Sequence, residues 1–161
     1  IQQTRHKMTV RRAASGDIPA IMGLLAQVNR VHAEARPDIF KLTTKYSSSE
    51  VAAIIADDRT PLFVGEEDGK VVGYAMCRFI EHKGESLLAD IKTLYIDDLC
   101  VDEKLRGKHI GTHIYEYVLN FAKQSGCYNL TLNVWACNPA AEAFYKKCGL
   151  VPQRTIMEKI L

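Results

Sequence analysis

The sequence has 161 residues, which suits one domain with a substantial core, and its 47% hydrophobic and 25% charged residues are typical of a globular protein. A net charge of +2 provides no strong field for nucleic acid or a membrane surface, and no apolar run approaches the ~20 residues of a transmembrane helix. We therefore expect a protein that binds neither. The five cysteines form no C-x-x-C pair, so zinc and disulfide frameworks are not expected. Most of them lie in apolar runs, which indicates reduced core thiols and a cytoplasmic protein.

The first part of the chain predicts a strand followed by two helices. Residues 1–7 precede Met8, a natural initiator position, and we interpret them as a remnant or a disordered segment before a single domain at 8–161. A short strand at 9–13 leads into a helix that Ser15 or Asp17 caps and that ends before a proline. A Ser-x-x-Glu capping box then begins a second helix.

The middle of the chain predicts a meander of three strands. Strands at 62–66 and 71–80 flank the tight-turn dipeptide Asp68-Gly69, which indicates a hairpin. A polar turn at 81–85 connects the hairpin to a third apolar run that ends at 95–101.

The last part of the chain alternates helices and strands. An amphipathic helix covers 110–123, and a β-branched strand follows at 130–135. Asn138 caps a short helix at 140–147. The segment 151–160 is broken by Pro152 and then resumes as a last strand. This order predicts an α/β (α+β) domain, with a mixed, mostly antiparallel central sheet of six or seven strands and helices on both faces.

A basic turn connects the third strand of the meander to the amphipathic helix. Arg106 and Lys108 supply positive charge, and Gly107 and Gly111 let an anion approach the backbone. Unpaired N–H groups and the helix dipole add to the attraction for phosphate. The turn is not a P-loop, because no lysine follows its last glycine, and its glycine spacing does not fit G-x-G-x-x-G.

The sequence Arg106-Gly107-Lys108-His109-Ile110-Gly111 resembles the acetyl-coenzyme A binding turn of the GCN5-related N-acetyltransferase (GNAT) superfamily. That turn commonly reads Arg-Gly-Lys-Gly-Ile-Gly, so His109 is a departure that either narrows the pyrophosphate pocket or reaches a phosphate. The order of predicted elements is also the one that the resemblance implies. The implied cofactor-binding residues are Leu99, Cys100, Val101, Arg106, Gly107, Lys108, His109, Ile110, Gly111, Thr112 and Asn138.

In this resemblance the cofactor is acetyl-coenzyme A, and Tyr145 protonates the departing thiolate. A phenol, with a reference pKa of ~10, is a suitable general acid for that step. The backbone at 99–101 pairs with the pantetheine arm, while Asn138 contacts the cofactor. From the residues alone, an ordinary helix cap explains Asn138 as well as cofactor contact does. The alternative role for Tyr145 is that of a core aromatic.

The general base is less clearly indicated. Related ribosomal-protein alanine acetyltransferases carry a glutamate where this chain has Asn133, which cannot accept a proton. Asp97 and Asp98 are the local alternatives, and strand alternation predicts that at most one of them faces the substrate. For both carboxylates a structural role is about as well supported as a catalytic one. Glu81, Glu85 or a chain of water molecules are the remaining sources of a base.

The acceptor site is predicted near the first helix, where His32 and Arg36 lie one turn apart. By resemblance these two residues bind the acceptor, although a solvated helix end explains them equally well. We predict no metal. The predicted activity is direct transfer of acetyl to a primary amine, on a small molecule, a protein N-terminus or a lysine. A non-catalytic coenzyme A-binding or regulatory domain and a different acyl donor remain alternatives, and a homodimer is the commonest assembly.

Overall fold

The computed structural model describes residues 8–161, so the predicted N-terminal remnant lies outside the described residues. Its strands are β1 Met8–Arg12, β2 Leu62–Glu67, β3 Lys70–Glu81, β4 Lys92–Val101 and β5 Asn129–Leu132. Its α-helices are α1 Ile18–Ala35, α2 Ser48–Ala56, α3 Ile110–Gln124 and α4 Pro139–Lys147. The predicted α/β fold, with one mixed sheet, is confirmed.

The sheet has the order β1-β2-β3-β4-β5, in which consecutive strands are neighbours. The first four strands pair antiparallel, and β4 pairs parallel with β5. Asp68 and Gly69, with φ of 51° and 77°, form the predicted tight turn between β2 and β3. The α3 helix provides the crossover that a parallel β4–β5 pair requires.

Helices cover both faces of the sheet, because alternate strand residues contribute to two separate cores. On one face, α3 packs Ile114 and Val118 against residues such as Phe63 and Leu94. On the other face, α1 and α2 pack against the remaining strand residues, including Tyr74. This arrangement agrees with the amphipathic pattern of each helix.

Two glycines let α3 approach the sheet closely. Gly65 on β2 and Gly73 on β3 are register partners, and the Ile114 side chain lies over both of them. A Cβ at Gly73 would lie 2.8 Å from Ile114 Cδ1 and 2.7 Å from the Cys100 carbonyl oxygen. The Gly65–Gly73 notch, as we name this pair, therefore fixes how the beginning of α3 sits beside the end of β4.

The described residues contain five strands rather than the predicted six or seven. The expected last strand accounts for the difference, because residues 151–161 are exposed and belong to no strand. β-Propensity predicts an extended backbone, but a strand also needs a neighbour, and no backbone of the described chain pairs with this segment. Within residues 8–161, no helix has both the length and the apolar character needed to cross a bilayer.

Candidate functional site

The two parallel strands at the centre of the site separate part-way along their length. β4 and β5 pair only from Thr93 and Asn129 to Ile96 and Leu132. Beyond this point β4 continues to Val101 and pairs with β3 alone. One edge of residues 97–101 thus keeps N–H and C=O groups without backbone partners among the described residues. An extended amide-bearing chain can pair with such an edge.

The turn after β4 is held by side chains from two directions. Asp102 caps it by accepting a hydrogen bond from the Lys104 amide at 3.1 Å. Gln27 on α1 accepts from the Glu103 amide at 3.0 Å and donates to Asp102 at 3.4 Å. These hydrogen bonds fix the position of the chain that leads into the predicted anion-binding turn. Sequence reasoning missed Gln27, because a glutamine on the side of a helix carries no local signal.

The beginning of α3 has backbone donors without acceptors in the described chain. The first hydrogen bond of the helix runs from the His113 amide to the His109 carbonyl at 3.1 Å. The amides of Ile110, Gly111 and Thr112 precede that bond and have no acceptor within residues 8–161. Amides in this position form the anion-binding end of a helix.

His109 occupies the position where a left-handed backbone is required. Its φ of 61° and ψ of 18° lie in the left-handed region, and Gly107 two residues earlier has a φ of 85°. Glycine adopts this conformation without the steric cost that a side chain brings. The geometry therefore explains why a glycine suits position 109. The exposed His109 ring makes no hydrogen bond that caps the helix.

Arg106 and Lys108 surround this helix end with positive charge. Both side chains are exposed, and neither forms an ion pair with a described residue. Other arginines of the domain, such as Arg11 and Arg59, are held by carboxylates. The two cations of the turn therefore remain available to an anionic ligand.

Tyr145 lies on α4 at the side of the β4 opening. Its neighbour Phe144 would lie 3.3 Å from a Cβ placed on Gly111, so α4 packs directly against the beginning of α3. The Tyr145 hydroxyl forms no hydrogen bond with the described protein and lies within electrostatic range of Asp98 and Cys100. Burial raises the pKa of Tyr145 well above its ordinary value, and the negative charge of Asp98 adds to the effect. The phenol is therefore protonated at neutral pH.

A β-bulge places both adjacent carboxylates on the same face of the sheet. The register passes from Met76–Asp98 to Cys77–Ile96, so Asp97 has no direct partner on β3. The Asp97 and Asp98 side chains both contact residues on the α1–α2 side. The expectation from strict alternation, that they face opposite sides, is therefore wrong, since the extra residue interrupts the alternation.

Each carboxylate accepts a short hydrogen bond from a tyrosine. The Tyr74 hydroxyl donates to Asp98 Oδ2, and the Tyr46 hydroxyl donates to Asp97 Oδ2, both at 2.6 Å. Lys45 also pairs with Asp97 at 3.1 Å. Burial raises the pKa of Asp98 above its ordinary value, while the Tyr74 hydrogen bond opposes that shift. Asp98 is therefore the carboxyl group whose proton affinity the fold has increased.

His32 belongs to an aromatic wall beside the carboxylates. Its ring stacks on Phe40 at 4.9 Å, and Phe40 meets the Trp135 ring edge-on at 4.8 Å. Burial lowers the pKa of His32, with an opposing contribution from the charge of Asp98. A neutral imidazole thus lies near Asp98. We name His32, Phe40 and Trp135 the aromatic wall.

Two predicted residues, and the asparagine that stands where relatives carry a glutamate, are already engaged with the protein. Both edges of the Arg36 guanidinium are paired, with Asp38 at 2.9 Å and Glu158 at 2.8 Å. The Asn138 side chain caps α4 by accepting from the Ala141 amide at 3.3 Å. The Asn133 amide donates to the Tyr95 hydroxyl at 3.1 Å. Arg36 and Asn138 thus have structural roles, and their predicted ligand contacts stay predictions.

The predicted cofactor residues are brought together by the fold. Leu99 and Val101 direct their side chains toward the α3 core, and Cys100 directs its own toward the α1 core. Because these side chains pack into the two cores, the backbone is the part that we expect a ligand to use, and that role stays a prediction. Tyr46 and Tyr74 were missed, because each is related to its carboxylate by pairing across the fold. In residues 8–161, no three His, Cys, Asp or Glu side chains converge as a metal site.

Comparisons with known proteins agree with this geometry. The sequence profile described as "Acetyltransferase (GNAT) family" matches residues 28–150, more than two thirds of the chain. A "Probable glucosamine 6-phosphate N-acetyltransferase 2" from Oryza sativa subsp. japonica is 28% identical, over 94% of this chain and 86% of the relative.

Two solved structures show the same fold. The tetramutant of protein BH1408 from Bacillus halodurans has a TM-score of 0.91 and 29% identity, over 95% of this chain and 99% of that one. Glucosamine-6-phosphate N-acetyltransferase from Arabidopsis thaliana has a TM-score of 0.70 over 96% of this chain and 98% of that one. Because the Arabidopsis enzyme is only 23% identical to this chain, its similarity shows a shared fold and nothing more.

Proposed function

Because the chain belongs to the acetyltransferase (GNAT) family and is an N-acetyltransferase, we propose that it transfers acetyl from acetyl-coenzyme A directly to a primary amine. The observation that carries this proposal is the separated edge of β4 next to the open N-terminal end of α3. The two features lie in one continuous stretch of chain. They match the two parts of the cofactor, an amide-bearing arm and a diphosphate.

The cofactor is bound by backbone and by charge. The amides from Gly107 to Thr112 bind the diphosphate, and Arg106 and Lys108 neutralise its charge. The arm lies along residues 97–101 and uses those N–H and C=O groups that have no backbone partner. A backbone amide near Leu99 or Cys100 then polarises the thioester carbonyl.

The chemistry needs one proton removed and one proton supplied. The amine nitrogen attacks the thioester carbonyl and forms the new C–N bond, and the C–S bond breaks as the coenzyme A thiolate departs. Tyr145 donates its phenolic proton to that thiolate. Its burial favours the protonated phenol, and its hydroxyl has no competing partner in the described protein. No acyl-enzyme is required.

Asp98 accepts the proton that the amine nitrogen loses, either directly or through a water molecule. A carboxylate with a raised pKa holds a proton better at neutral pH than an ordinary one, which suits a general base. Tyr74 orients Asp98. Asp97 is a weaker candidate, because Lys45 and Tyr46 already engage its two oxygens.

The acceptor enters beside the aromatic wall, where His32 provides a neutral ring nitrogen. Glucosamine 6-phosphate is the first acceptor to test, because the rice relative with that name matches 94% of this chain. The panel also includes amino acids, an aminoglycoside, a polyamine and peptides with free N-termini.

The test measures release of free coenzyme A thiol from acetyl-coenzyme A in the presence of each amine. We expect amine-dependent release and an acetylated product of matching mass. Tyr145→Phe is expected to lower turnover by about 10²-fold or more while cofactor affinity stays nearly unchanged. Tight cofactor binding without transfer to any amine would favour the alternative of a non-catalytic coenzyme A-binding domain.

A further inference from the structure

Arg78 and Tyr95 lie side by side on the face of the sheet that carries Asp98. They are register partners on β3 and β4. Their neighbours along the two strands all belong to the α3 core: Cys77, Phe79, Leu94 and Ile96. Because side chains alternate along a strand, Arg78 and Tyr95 lie on the opposite face, which α1 and α2 cover in part. Arg78 is exposed and Tyr95 is half-buried, so both remain accessible there.

The Arg78 guanidinium lies over the Tyr95 ring, with its central carbon 5.3 Å from the ring centroid. It forms no ion pair with a carboxylate of residues 8–161. In the other cation–π pairs of this part of the chain the cation also has a polar partner: Asp58 for Arg12, Asp97 for Lys45 and the Ser125 carbonyl for Lys92. The N–H donors of a guanidinium lie in its plane, so stacking occupies its face and leaves the donors for an anion.

Tyr95 extends from Arg78 toward the aromatic wall. Its hydroxyl accepts a hydrogen bond from the Asn133 side-chain amide at 3.1 Å. Asn133 lies two residues before Trp135, which belongs to that wall. The Tyr95 ring is therefore a half-buried surface with an unpaired cation on one side and the proposed acceptor entrance on the other.

The position of Arg78 relative to the proposed base determines the size of a ligand that could contact both. Three residues of strand, roughly 10 Å, separate Tyr95 from Asp98. The positive charge of Arg78 also acts on Tyr46, the tyrosine that donates to Asp97. An acceptor with its amine near Asp98 can therefore lie over the Tyr95 ring and place a second group against Arg78.

We propose that Arg78 binds an anionic group of the acceptor, so that the substrate is a primary amine with a carboxylate or a phosphate at its far end. A guanidinium can make two parallel hydrogen bonds to either group, and the Tyr95 ring holds it in one orientation. Arg78 is thus a specificity-determining residue. The inference rests on the proposed function, because it uses Asp98 as the base that fixes the position of the amine.

The first test compares amines that differ in the anionic group alone. One pair is 6-aminohexanoate and 6-amino-1-hexanol, and the other is glucosamine 6-phosphate and glucosamine, so the two pairs distinguish a carboxylate from a phosphate. We expect the anionic member of at least one pair to have the higher kcat/KM. Arg78→Gln should lower kcat/KM for that member by about 10- to 100-fold. Its kcat/KM for the neutral member and its KM for acetyl-coenzyme A should not change.

Two variants complete this comparison. Arg78→Lys keeps the charge but loses the paired donors, and should restore part of the preference for the anionic amine. Lys70→Gln removes an exposed cation from the other end of β3 and is the matched control, which should behave as the wild type. Equal kcat/KM values within both pairs, or an Arg78→Gln variant that slows both members equally, would overturn the proposal.

The second test measures binding without transfer, which separates this inference from the proposed function. The Arg78 Nε–H signal is identified in a ¹⁵N–¹H spectrum by its loss in Arg78→Lys. The probes are 6-acetamidohexanoate and N-acetylglucosamine 6-phosphate, added with coenzyme A. We expect at least one of them to shift this signal, and neutral N-acetylglucosamine to leave it in place. A signal that neither anionic probe moves would overturn the anion site even if the protein acetylates amines, whereas a shifted signal without transfer to any amine would refute the proposed function alone.

Discussion

Gly73→Ala tests whether close packing under α3 places the cofactor edge of β4. A new Cβ at Gly73 would lie 2.7 Å from the Cys100 carbonyl oxygen and 2.8 Å from Ile114 Cδ1. The fully buried Ile114 has little space to rotate away, and the Cys100 carbonyl is part of the strand backbone. The substitution must therefore displace β4, α3 or both.

Overpacking of this kind costs roughly 1–3 kcal/mol. For a chain of this size, each kcal/mol lowers the melting temperature by about 2–4 °C, so we expect a decrease of roughly 2–12 °C. Because Cys100 belongs to the edge that receives the cofactor arm, we also expect affinity for acetyl-coenzyme A to fall by about tenfold, or ~1.4 kcal/mol. Differential scanning calorimetry and isothermal titration calorimetry measure the two effects.

Gly23→Ala is the matched control. Gly23 lies exposed within α1, and a Cβ there has no neighbour within 4 Å. Alanine in an open helical position is expected to raise stability by roughly 0.5–1 kcal/mol and to leave cofactor affinity unchanged. If Gly73→Ala matched this control in both measurements, the role that we assign to the Gly65–Gly73 notch would be refuted.

Three further changes probe the turn and the carboxylates. His109→Gly removes the steric cost of a left-handed backbone, roughly 1–2 kcal/mol, but adds about 0.5–1 kcal/mol of conformational entropy loss on folding. We therefore expect the variant to melt at or above the wild-type temperature, and a lower melting temperature would contradict the strain at position 109. Asp98→Asn removes a carboxyl group whose folded-state pKa is raised, so that wild-type stability falls as pH rises above 3.8 through that pKa. The melting temperature of Asp98→Asn should therefore gain on wild type as the pH rises from 3.8, and an unchanged difference would remove Asp98 as the titrating group. Arg106→Glu should abolish coenzyme A binding in calorimetry, whereas Lys123→Glu, the same reversal at the other end of α3, should not.

The sequence predicted those parts of the site that local chemistry determines. The turn from Arg106 to Gly111, the amphipathic α3 and the cap at Asn138 each follow from residues within a few positions of one another. The structure places them as neighbours because α3 and α4 pack together at Gly111 and Phe144.

The remaining features depend on pairing between distant segments. The bulge at Asp97 exists in the register between β3 and β4, and no residue of β4 alone reveals it. Tyr46 reaches Asp97 from a loop 51 residues earlier, so its role has no local signal. The final predicted strand shows the same limit, because its sequence favours an extended backbone but no described segment of the chain pairs with it.

Amide hydrogen exchange with and without saturating acetyl-coenzyme A tests the central claim most directly. The account predicts slower exchange in two segments at once, residues 97–101 on the free edge of β4 and residues 107–112 at the beginning of α3. Bound cofactor with unchanged exchange in both segments would contradict it.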